Sequence, residues 1–222
     1  VEITDGLEAS ARRARYEALD KCAKKNNAVA VLLGHTKDDQ AETVLLGLAR
    51  GSGARSLAGM SEVNGIYIRP FLGITRDETV AACKELNLQP WNDPHNEDSS
   101  FSRVRVRKNV LPMMESELSP GIKDALVRSA DLLRDDADAL DALAQEFWAK
   151  DKSLDVEALL KLPKAVRTRV LRLALFESGV SQLSAEQVGR VEALISNWKG
   201  QGEVSLPSGV KVSRISGRLT LS

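Results

Sequence analysis

The chain has 222 residues, 43% of them hydrophobic, which is enough to bury a core in one large domain or two small ones. Lysine plus arginine and aspartate plus glutamate both number 31, which excludes the overall basic charge of many nucleic-acid-binding proteins, so any RNA contact must come from local clusters. The two cysteines exclude a disulfide framework or a CxxC metal pair, and no signal peptide or apolar run of about 18 residues is present, which indicates a cytoplasmic protein without a membrane span.

Helix and strand signals alternate at the start of the sequence. A helix is expected over about Leu7–Lys25, with Asp5 as its N-cap. The wholly apolar run Ala28–Leu33 predicts a parallel strand covered on both faces. Gly34 breaks this strand, and a second helix is predicted over Asp38–Arg50. The Gly34 turn therefore takes the place, beyond the carboxyl end of a parallel strand, where open α/β sheets bind ligands.

The alternation continues for another strand and helix. Ile66–Ile68 predicts a strand, and Thr75 with Glu78 forms a capping box for a helix that ends near Leu86. The polar, proline-containing stretch Gln89–Ser102 predicts an ordered loop. These elements together predict an α/β fold with a parallel sheet.

The second part of the sequence is helical and ends in strands. Apolar residues recur at helical spacing from Ile122 to Phe147, and helices are predicted over Val156–Ser178, broken at Pro163, and over Ala185–Asn197. Glu203–Leu221 predicts a small β-meander. We therefore expect an α/β domain over residues 1–112 and a mainly helical domain with a β tail over residues 113–222.

The first group of residues able to carry chemistry follows the predicted strand. Asp39 and Glu42 stand three positions apart on one helix face, with His35 just before the first turn. Carboxylates in this arrangement can hold Mg²⁺ near phosphates or bind an ammonium group. The alternative is that acids in the first turn, Asp38 and Asp39, only complement the helix dipole.

The complete string Gly34–Thr43 fills every fixed position of the GHxxDDxxET motif and so resembles PP-loop ATP pyrophosphatases. Three further segments, Arg50–Met60, Arg69–Gly73 and Trp91–Arg107, resemble one family in that superfamily, the tRNA(Ile)-lysidine synthetases. Trp198–Val210 is similar to the end of the actinobacterial-type members. Val104 departs from the RxRxR pattern of the family, in which asparagine is usual at that position.

The resemblance implies a function and a fold. The fold would be the C-terminal part of a Rossmann-like PP-loop nucleotide domain, followed by a mainly helical tRNA-binding domain. The function would be ATP- and Mg²⁺-dependent ligation of L-lysine to C2 of the first anticodon cytidine of CAU-anticodon tRNA(Ile). The reaction would pass through an adenylated intermediate and change decoding from AUG to AUA. Whether the protein forms a homodimer is left open.

The same resemblance assigns site residues. Asp39 and Glu42 would bind the lysine ammonium, and His35 would line that pocket and act as a general base. The nucleotide and adenylate phosphates would be bound by four arginines, Arg12, Arg103, Arg105 and Arg107. The alternative for the last three is a solvated face with salt bridges to nearby acids of the loop. A weaker candidate surface for the tRNA backbone consists of Lys161, Lys164, Arg167, Arg169 and Arg172.

One motif of the family does not occur in the 222 residues. The glycine-rich SGGxDS loop, whose backbone amides would cradle the ATP phosphates, would precede Val1. A truncated chain and an N-terminal piece removed or carried separately both remain open. We expect this polypeptide alone neither to hydrolyse ATP nor to make lysidine. The alternatives to the whole assignment are a tRNA thiolase of the same superfamily, which two distant cysteines disfavour, and an RNA-binding remnant without a reaction.

Overall fold

The computed structural model describes residues 7–51, 53–180 and 183–222, and the expected N-cap Asp5 lies outside them. The helices in chain order are α1 (Leu7–Lys25), α2 (Lys37–Ala49), α3 (Ala54–Leu57), α4 (Arg76–Glu85), α5 (Ser102–Arg105), α6 (Leu111–Glu117), α7 (Ile122–Lys150), α8 (Val156–Leu160), α9 (Lys164–Glu177) and α10 (Ala185–Ser196). The strands are β1 (Val31–Leu32), β2 (Val63–Asn64), β3 (Tyr67–Ile68), β4 (Val204–Ser205), β5 (Lys211–Ile215) and β6 (Arg218–Leu221). A π-helix, Val106–Val110, joins α5 to α6.

The chain divides into two compact units, Val1–Arg134 and Asp135–Ser222. The division falls inside α7, whereas the sequence placed a domain boundary between residues 112 and 113. The difference has a physical reason, because the first turns of α7 make polar contacts with the first unit. Lys123 pairs with Asp38 at 2.8 Å, and Arg134 donates to the Met60 carbonyl at 2.8 Å.

The sheet of the first unit has the order β1-β3-β2. β1 pairs with β3 in parallel, with Val31 opposite Tyr67, as a parallel sheet requires. The expectation that this strand is covered on both faces was wrong, because Val29 is 93% and Leu32 is 68% exposed. β1 is the edge strand of this sheet and has β3 on one side. The sequence also did not predict β2, which forms an antiparallel hairpin with β3.

The predicted helices of the first unit are confirmed to within a residue at most ends. α1 has the predicted bounds, and α2 is shifted by one residue. α4 begins with the predicted capping box, in which Glu78 N donates to Thr75 Oγ1 at 3.2 Å and Thr75 N donates to the Glu78 carboxylate at 2.7 Å. These ends follow from side chains close in sequence, so local chemistry suffices to predict them.

The helical path through α5, the π-helix and α6 was not predicted, because helical character was expected only beyond Pro112. Its apolar side chains Val106 and Leu111 form a buried cluster with Ala41 and Leu45 of α2. The path therefore packs along α2. Since residues four apart share a helix face, it also brings the first and third arginines of the RxRxR segment to one side.

The second unit encloses the larger core. Buried residues of α7 to α10 pack with Val204, Val212 and Leu219 of the antiparallel sheet β4-β5-β6. The predicted break at Pro163 separates α8 from α9, and the meander is confirmed. Among the described residues, no helix is long and apolar enough to cross a membrane.

Candidate functional site

Asp39, in the first turn of α2, uses its two carboxylate oxygens differently. Oδ2 accepts hydrogen bonds from the backbone nitrogen and the hydroxyl of Thr36, both at 2.9 Å. Oδ1 accepts from Arg76 Nη2 at 3.2 Å and from Arg107 Nη2 at 3.4 Å. One oxygen thus caps the helix while the other faces two guanidinium groups. The capping interpretation and a site role are therefore compatible for this residue.

Glu42, one turn later, is fully buried and forms a two-point ion pair with Arg107. Arg107 Nε lies 2.6 Å from Oε1, and Nη2 lies 3.1 Å from Oε2. Burial raises the pKa of the Glu42 carboxyl, and the hydrogen bond and charge of Arg107 work against that rise. Arg103 Nε stands further away, 4.0 Å from Oε2. We call Asp39 and Glu42 the acid pair. Both contact arginines of the RxRxR segment.

Asp38 completes the group of acids. Its carboxylate accepts from Lys123 Nζ and from the backbone nitrogen of Arg76, each at 2.8 Å. Burial acts to raise the pKa of Asp38, but these hydrogen bonds outweigh it and the pKa is lowered. We call the following residues the α2 charge cluster: Asp38, Asp39, Glu42, Arg76, Arg103, Arg107 and Lys123. The cluster thus contains three carboxylates and four cationic groups, which are linked by ion pairs.

His35, beside the cluster, favours its neutral form. Burial lowers its pKa most, Asp39 opposes that effect, and the charges of Arg69, Arg103 and Arg12 lower the pKa further. Its Nδ1 atom is buried and has no hydrogen-bond partner among the described residues. A neutral imidazole at this place can accept a proton.

Arg12 and Arg69 are linked through Tyr16 on α1. The Arg12 guanidinium lies 5.2 Å from the centre of the Tyr16 ring, and Arg69 Nη2 donates to the Tyr16 hydroxyl at 3.3 Å. Tyr16 also packs edge-on against Tyr67, with ring centres 4.9 Å apart. Arg12 itself is exposed, so its guanidinium is accessible to an anion.

Arg105 is turned toward the preceding loop and away from the acid pair. Its guanidinium donates to the carbonyls of Ser99 and Ser100, at 2.8 and 2.7 Å, and to the Ser102 hydroxyl at 3.0 Å. The structure thus brings Asp39, Glu42, Arg103 and Arg107 together and separates Arg105 from them. Arg107 pairs with Glu42 and Asp39, which belong to α2 and not to the loop, and Arg105 donates to backbone carbonyls of the loop.

Three residues that act on this site were not identified as site residues from the sequence: Arg69, Arg76 and Lys123. Arg76 and Lys123 reach it from helices distant in the chain, so no local signal could have identified them. Gln40 lies inside the motif at a variable position. Its amide nitrogen donates to the Met60 carbonyl at 2.9 Å, and its amide oxygen accepts from Met60 N at 2.7 Å.

The candidate RNA-facing residues of the second unit differ in exposure. Lys161, Lys164 and Arg172 are exposed. Arg169 Nε pairs with Asp141 at 2.6 Å. Arg167 is buried and pairs with Glu192 at 2.5 Å. Arg167 shares a helix face with Val170, Leu171 and Ala174, which are buried, so the apolar pattern of the helix could have distinguished it from the exposed cations.

No group of three or more metal-binding side chains that could hold an ion occurs in residues 7–51, 53–180 and 183–222. Asp38, Asp39 and Glu42 are each engaged by lysine or arginine. The residues of this site do not by themselves fit a Mg²⁺ ion.

Comparisons with known proteins match both parts of the chain. Residues 2–114 match the family model of a PP-loop domain, and residues 154–220 match that of the TilS substrate binding domain. The chain is 49% identical to a tRNA(Ile)-lysidine synthase of Thermobifida fusca, covering 100% of the chain and 70% of that protein. It is 51% identical to a tRNA(Ile)-lysidine synthase of Leifsonia xyli subsp. xyli, covering 99% of the chain and 68% of that protein.

One solved structure is distantly similar. The U34-tRNA thiolase NcsA from Methanococcus maripaludis gives a TM-score of 0.47 at 20% identity, over 59% of this chain and 45% of the thiolase. A likeness of this size carries no argument about function.

Proposed function

We propose, since this chain belongs to the tRNA(Ile)-lysidine synthase family, that it supplies the lysine-ligating site of that reaction. The observation that carries the proposal is that a PP-loop domain and a TilS substrate binding domain match in order along the chain. The proteins of this family use ATP through their PP-loop domain. The substrates would be CAU-anticodon tRNA(Ile) and L-lysine, and the product would carry lysine on C2 of the first anticodon cytidine. We place the reaction in the cytoplasm.

We assign the ammonium-binding role to Asp39 and a positioning role to Glu42. Asp39 is partly accessible, and its Oδ1 makes only long contacts, of 3.2 and 3.4 Å, to two arginines. A substrate ammonium could therefore share this oxygen. Glu42 has no exposed surface, so it would act on the substrate through Arg107, which it holds at 2.6 Å. This division refines the expectation that both acids contact the ammonium.

We assign His35 as the group that accepts the proton released by the attacking amine. The lysine amine loses a proton as it forms the new carbon–nitrogen bond to C2 of the cytidine. The bond between C2 and the activated oxygen breaks, and AMP leaves with that oxygen and the bonding electron pair. A neutral imidazole can take that proton, and the lowered pKa of His35 keeps it neutral near pH 7. Positioning of the two reactants would supply most of the remaining rate enhancement.

The phosphates of the nucleotide or adenylate would meet Arg12 and Arg103. Arg12 is exposed on α1, and Arg103 has only a 4.0 Å ion pair and a 3.3 Å hydrogen bond, so both can turn to an anion. Arg107 would act on the bound substrate indirectly, by orienting Asp39 and Glu42. Arg105 would act indirectly by ordering the loop at Ser99 and Ser100. Mg²⁺ would enter the site together with the phosphates.

The second unit would contact the tRNA backbone through its exposed cations. Lys161, Lys164 and Arg172 are the residues that we retain for this role, with a minor contribution from Arg169. Such contacts would make RNA binding strongly dependent on salt. The thiolase alternative lacks support, because the two cysteines lie far apart in the chain and the named relatives are lysidine synthases.

The experiment replaces Asp39 by asparagine in the full-length natural protein. We expect lysidine formation, measured by mass spectrometry of the digested tRNA, to fall at least a hundredfold while tRNA affinity changes less than twofold. Asp131→Asn, on an exposed face of α7, is the matched control and should leave both quantities unchanged. Equal loss of activity and tRNA affinity in Asp39→Asn would indicate a structural role. A wild-type protein that binds tRNA without forming lysidine would support the RNA-binding alternative.

A further inference from the structure

A cleft of about 340 Å³ lies between the second half of α2 and the start of α5. The residues that line it are Thr43, Leu46, Ala49, Arg50, Ser102 and Arg103. Leu46 and Ala49 give it an apolar side, and two guanidinium groups and two hydroxyls give it a polar side. None of these lining residues carries a carboxylate. The charged groups that line the cleft are therefore both cationic, and Glu42, the acid beside it, lies 4.0 Å from Arg103.

The two arginines of this cleft differ in their present contacts. Arg50, the C-cap residue of α2, is exposed and has no side-chain hydrogen bond or ion pair with any residue that the structure describes. Arg103 donates to Thr43 Oγ1 at 3.3 Å and approaches Glu42 only to 4.0 Å. The charge of Glu42 is already matched by Arg107 at 2.6 Å. Both guanidinium groups are therefore available to an anion.

The hydroxyl groups complete the polar side of the cleft in different ways. Ser102 Oγ accepts a hydrogen bond from Arg105 at 3.0 Å, so its own proton is free to donate to a ligand. Thr43 Oγ1 donates to the Asp39 carbonyl at 2.7 Å, which leaves it as the acceptor for Arg103. Thr43 thus orients Arg103, and Ser102 adds a neutral donor. Two guanidinium forks and one hydroxyl donor suit a phosphate group.

The position of the cleft indicates which phosphate it binds. Asp39, Thr43 and Arg50 follow one another along the same helix, and Arg50 lies about 16 Å further along the axis than Asp39 at a rise of 1.5 Å per residue. A ligand that engages both ends must extend along α2. An RNA strand has phosphates on either side of its reacting nucleotide, whereas a free phosphate ion would occupy the cleft alone.

We propose that this cleft binds a backbone phosphate of the RNA substrate, flanking the reacting nucleotide, chiefly through Arg50 and the Ser102 hydroxyl, with the Arg103 guanidinium shared between this phosphate and the nucleotide phosphate. The proposal rests on the proposed function, because it takes the RNA strand to run from Asp39 along α2. Arg50 would increase the affinity for the RNA strand and fix its position along α2. It would not take part in the chemical step.

The test measures binding of the tRNA(Ile) anticodon stem-loop to the full-length protein at several salt concentrations. For Arg50→Ala we expect about tenfold weaker binding at low salt and a slope of log affinity against log salt that is smaller by about one. Arg50→Lys should restore most of the slope, because lysine retains the charge. Arg128→Ala, which removes an exposed arginine of α7 outside the cleft, should leave the slope unchanged. Circular dichroism melting should give equal stability for all three variants.

The proposal is overturned if Arg50→Ala keeps the wild-type slope, or if Arg128→Ala reduces it equally. It is also overturned if inorganic phosphate binds in an Arg50-dependent way while RNA binding does not depend on Arg50. Lysidine formation by the same preparations separates this proposal from the proposed function. Lysidine formation with an Arg50-independent slope would refute the cleft alone. An Arg50-dependent slope without lysidine formation would refute the proposed function and leave the cleft as a phosphate site for RNA.

Discussion

Glu42 and Arg107 lie 65 positions apart in the chain and meet in a two-point ion pair, with Arg107 Nε 2.6 Å from Oε1 and Nη2 3.1 Å from Oε2. Glu42 is fully buried, so its charge depends on this single guanidinium for most of its compensation. The same Arg107 reaches Asp39 at 3.4 Å. Arg107 therefore contacts both the buried Glu42 and Asp39, the residue that we assign to the substrate ammonium. Loss of the Glu42–Arg107 ion pair would disturb α2 and the position of Asp39 together.

Replacing Glu42 by glutamine should destabilise the protein by about 3 kcal/mol, because Arg107 would lose the nearer of its two carboxylate partners in a largely buried place. The measurement is urea unfolding followed by circular dichroism. Glu146→Gln is the control, since the Glu146 pair with Lys150 is exposed on both sides and its loss should have no measurable effect. Equal destabilisation by the two variants would contradict a special role for the buried pair.

The pH dependence of lysidine formation should reflect His35. Burial and three neighbouring arginines lower its pKa below 6.5, so the neutral form persists to a lower pH than for an ordinary histidine. We expect kcat/KM to rise with pH through an acid limb below pH 6.5 and to lose at least about a hundredfold in His35→Gln. Arg103→Ala should move the limb toward higher pH, because it removes a cation that lowers the pKa of His35. His95→Gln, which changes the other histidine, should leave the acid side of the kcat/KM profile unchanged. A shift of that profile in His95→Gln would contradict the assignment of His35 as the proton acceptor.

The buried pair of Arg167 and Glu192 should contribute to the stability of the second unit. Arg167→Met leaves Glu192 buried without its cation and should cost about 3 kcal/mol in urea unfolding. A second change, Glu192→Leu, should recover most of that loss, since an apolar pair needs no charge compensation. Lys152→Met, which removes an exposed pair with Glu177, should have no measurable effect. RNA affinity lost by Arg167→Met without loss of stability would instead assign Arg167 to the RNA surface.

Gly59 should not tolerate a side chain. Its φ of +63° is in the left-handed region, and a Cβ atom there would lie 2.7 Å from the Gln40 amide oxygen that accepts from Met60. Gly59→Ala should therefore destabilise the protein by about 1–3 kcal/mol in urea unfolding. Gly73→Ala is the matched control, because Gly73 has open space and no left-handed φ. Equal stability of the two variants would show that the loop can shift away from Gln40.

Local sequence patterns were sufficient for elements that depend on neighbouring residues. The bounds of α1 and the capping box of α10 were predicted because they depend on residues within four positions of each other. In α10, Gln187 N donates to Ser184 Oγ at 3.1 Å and Ser184 N donates to the Gln187 side chain at 2.8 Å. The GHxxDDxxET motif likewise identified the acids of α2, because all its positions are close in sequence.

Only the tertiary structure decided which charges pair and which face solvent. No pattern around Arg107 distinguishes it from Arg105, yet packing of the helical path against α2 directs Arg107 to Glu42 and leaves Arg105 on the loop. Arg167 is likewise buried and pairs with Glu192 of α10, a partner that lies 25 positions away in the chain. The exposure of Leu32 in β1 depends likewise on which elements pack beside the strand, because an apolar run indicates what a strand could bury and not whether neighbours cover it. The sequence by itself thus determined the family and the elements that have local capping signals or regular apolar spacing, whereas long-range packing determined the electrostatics of the site.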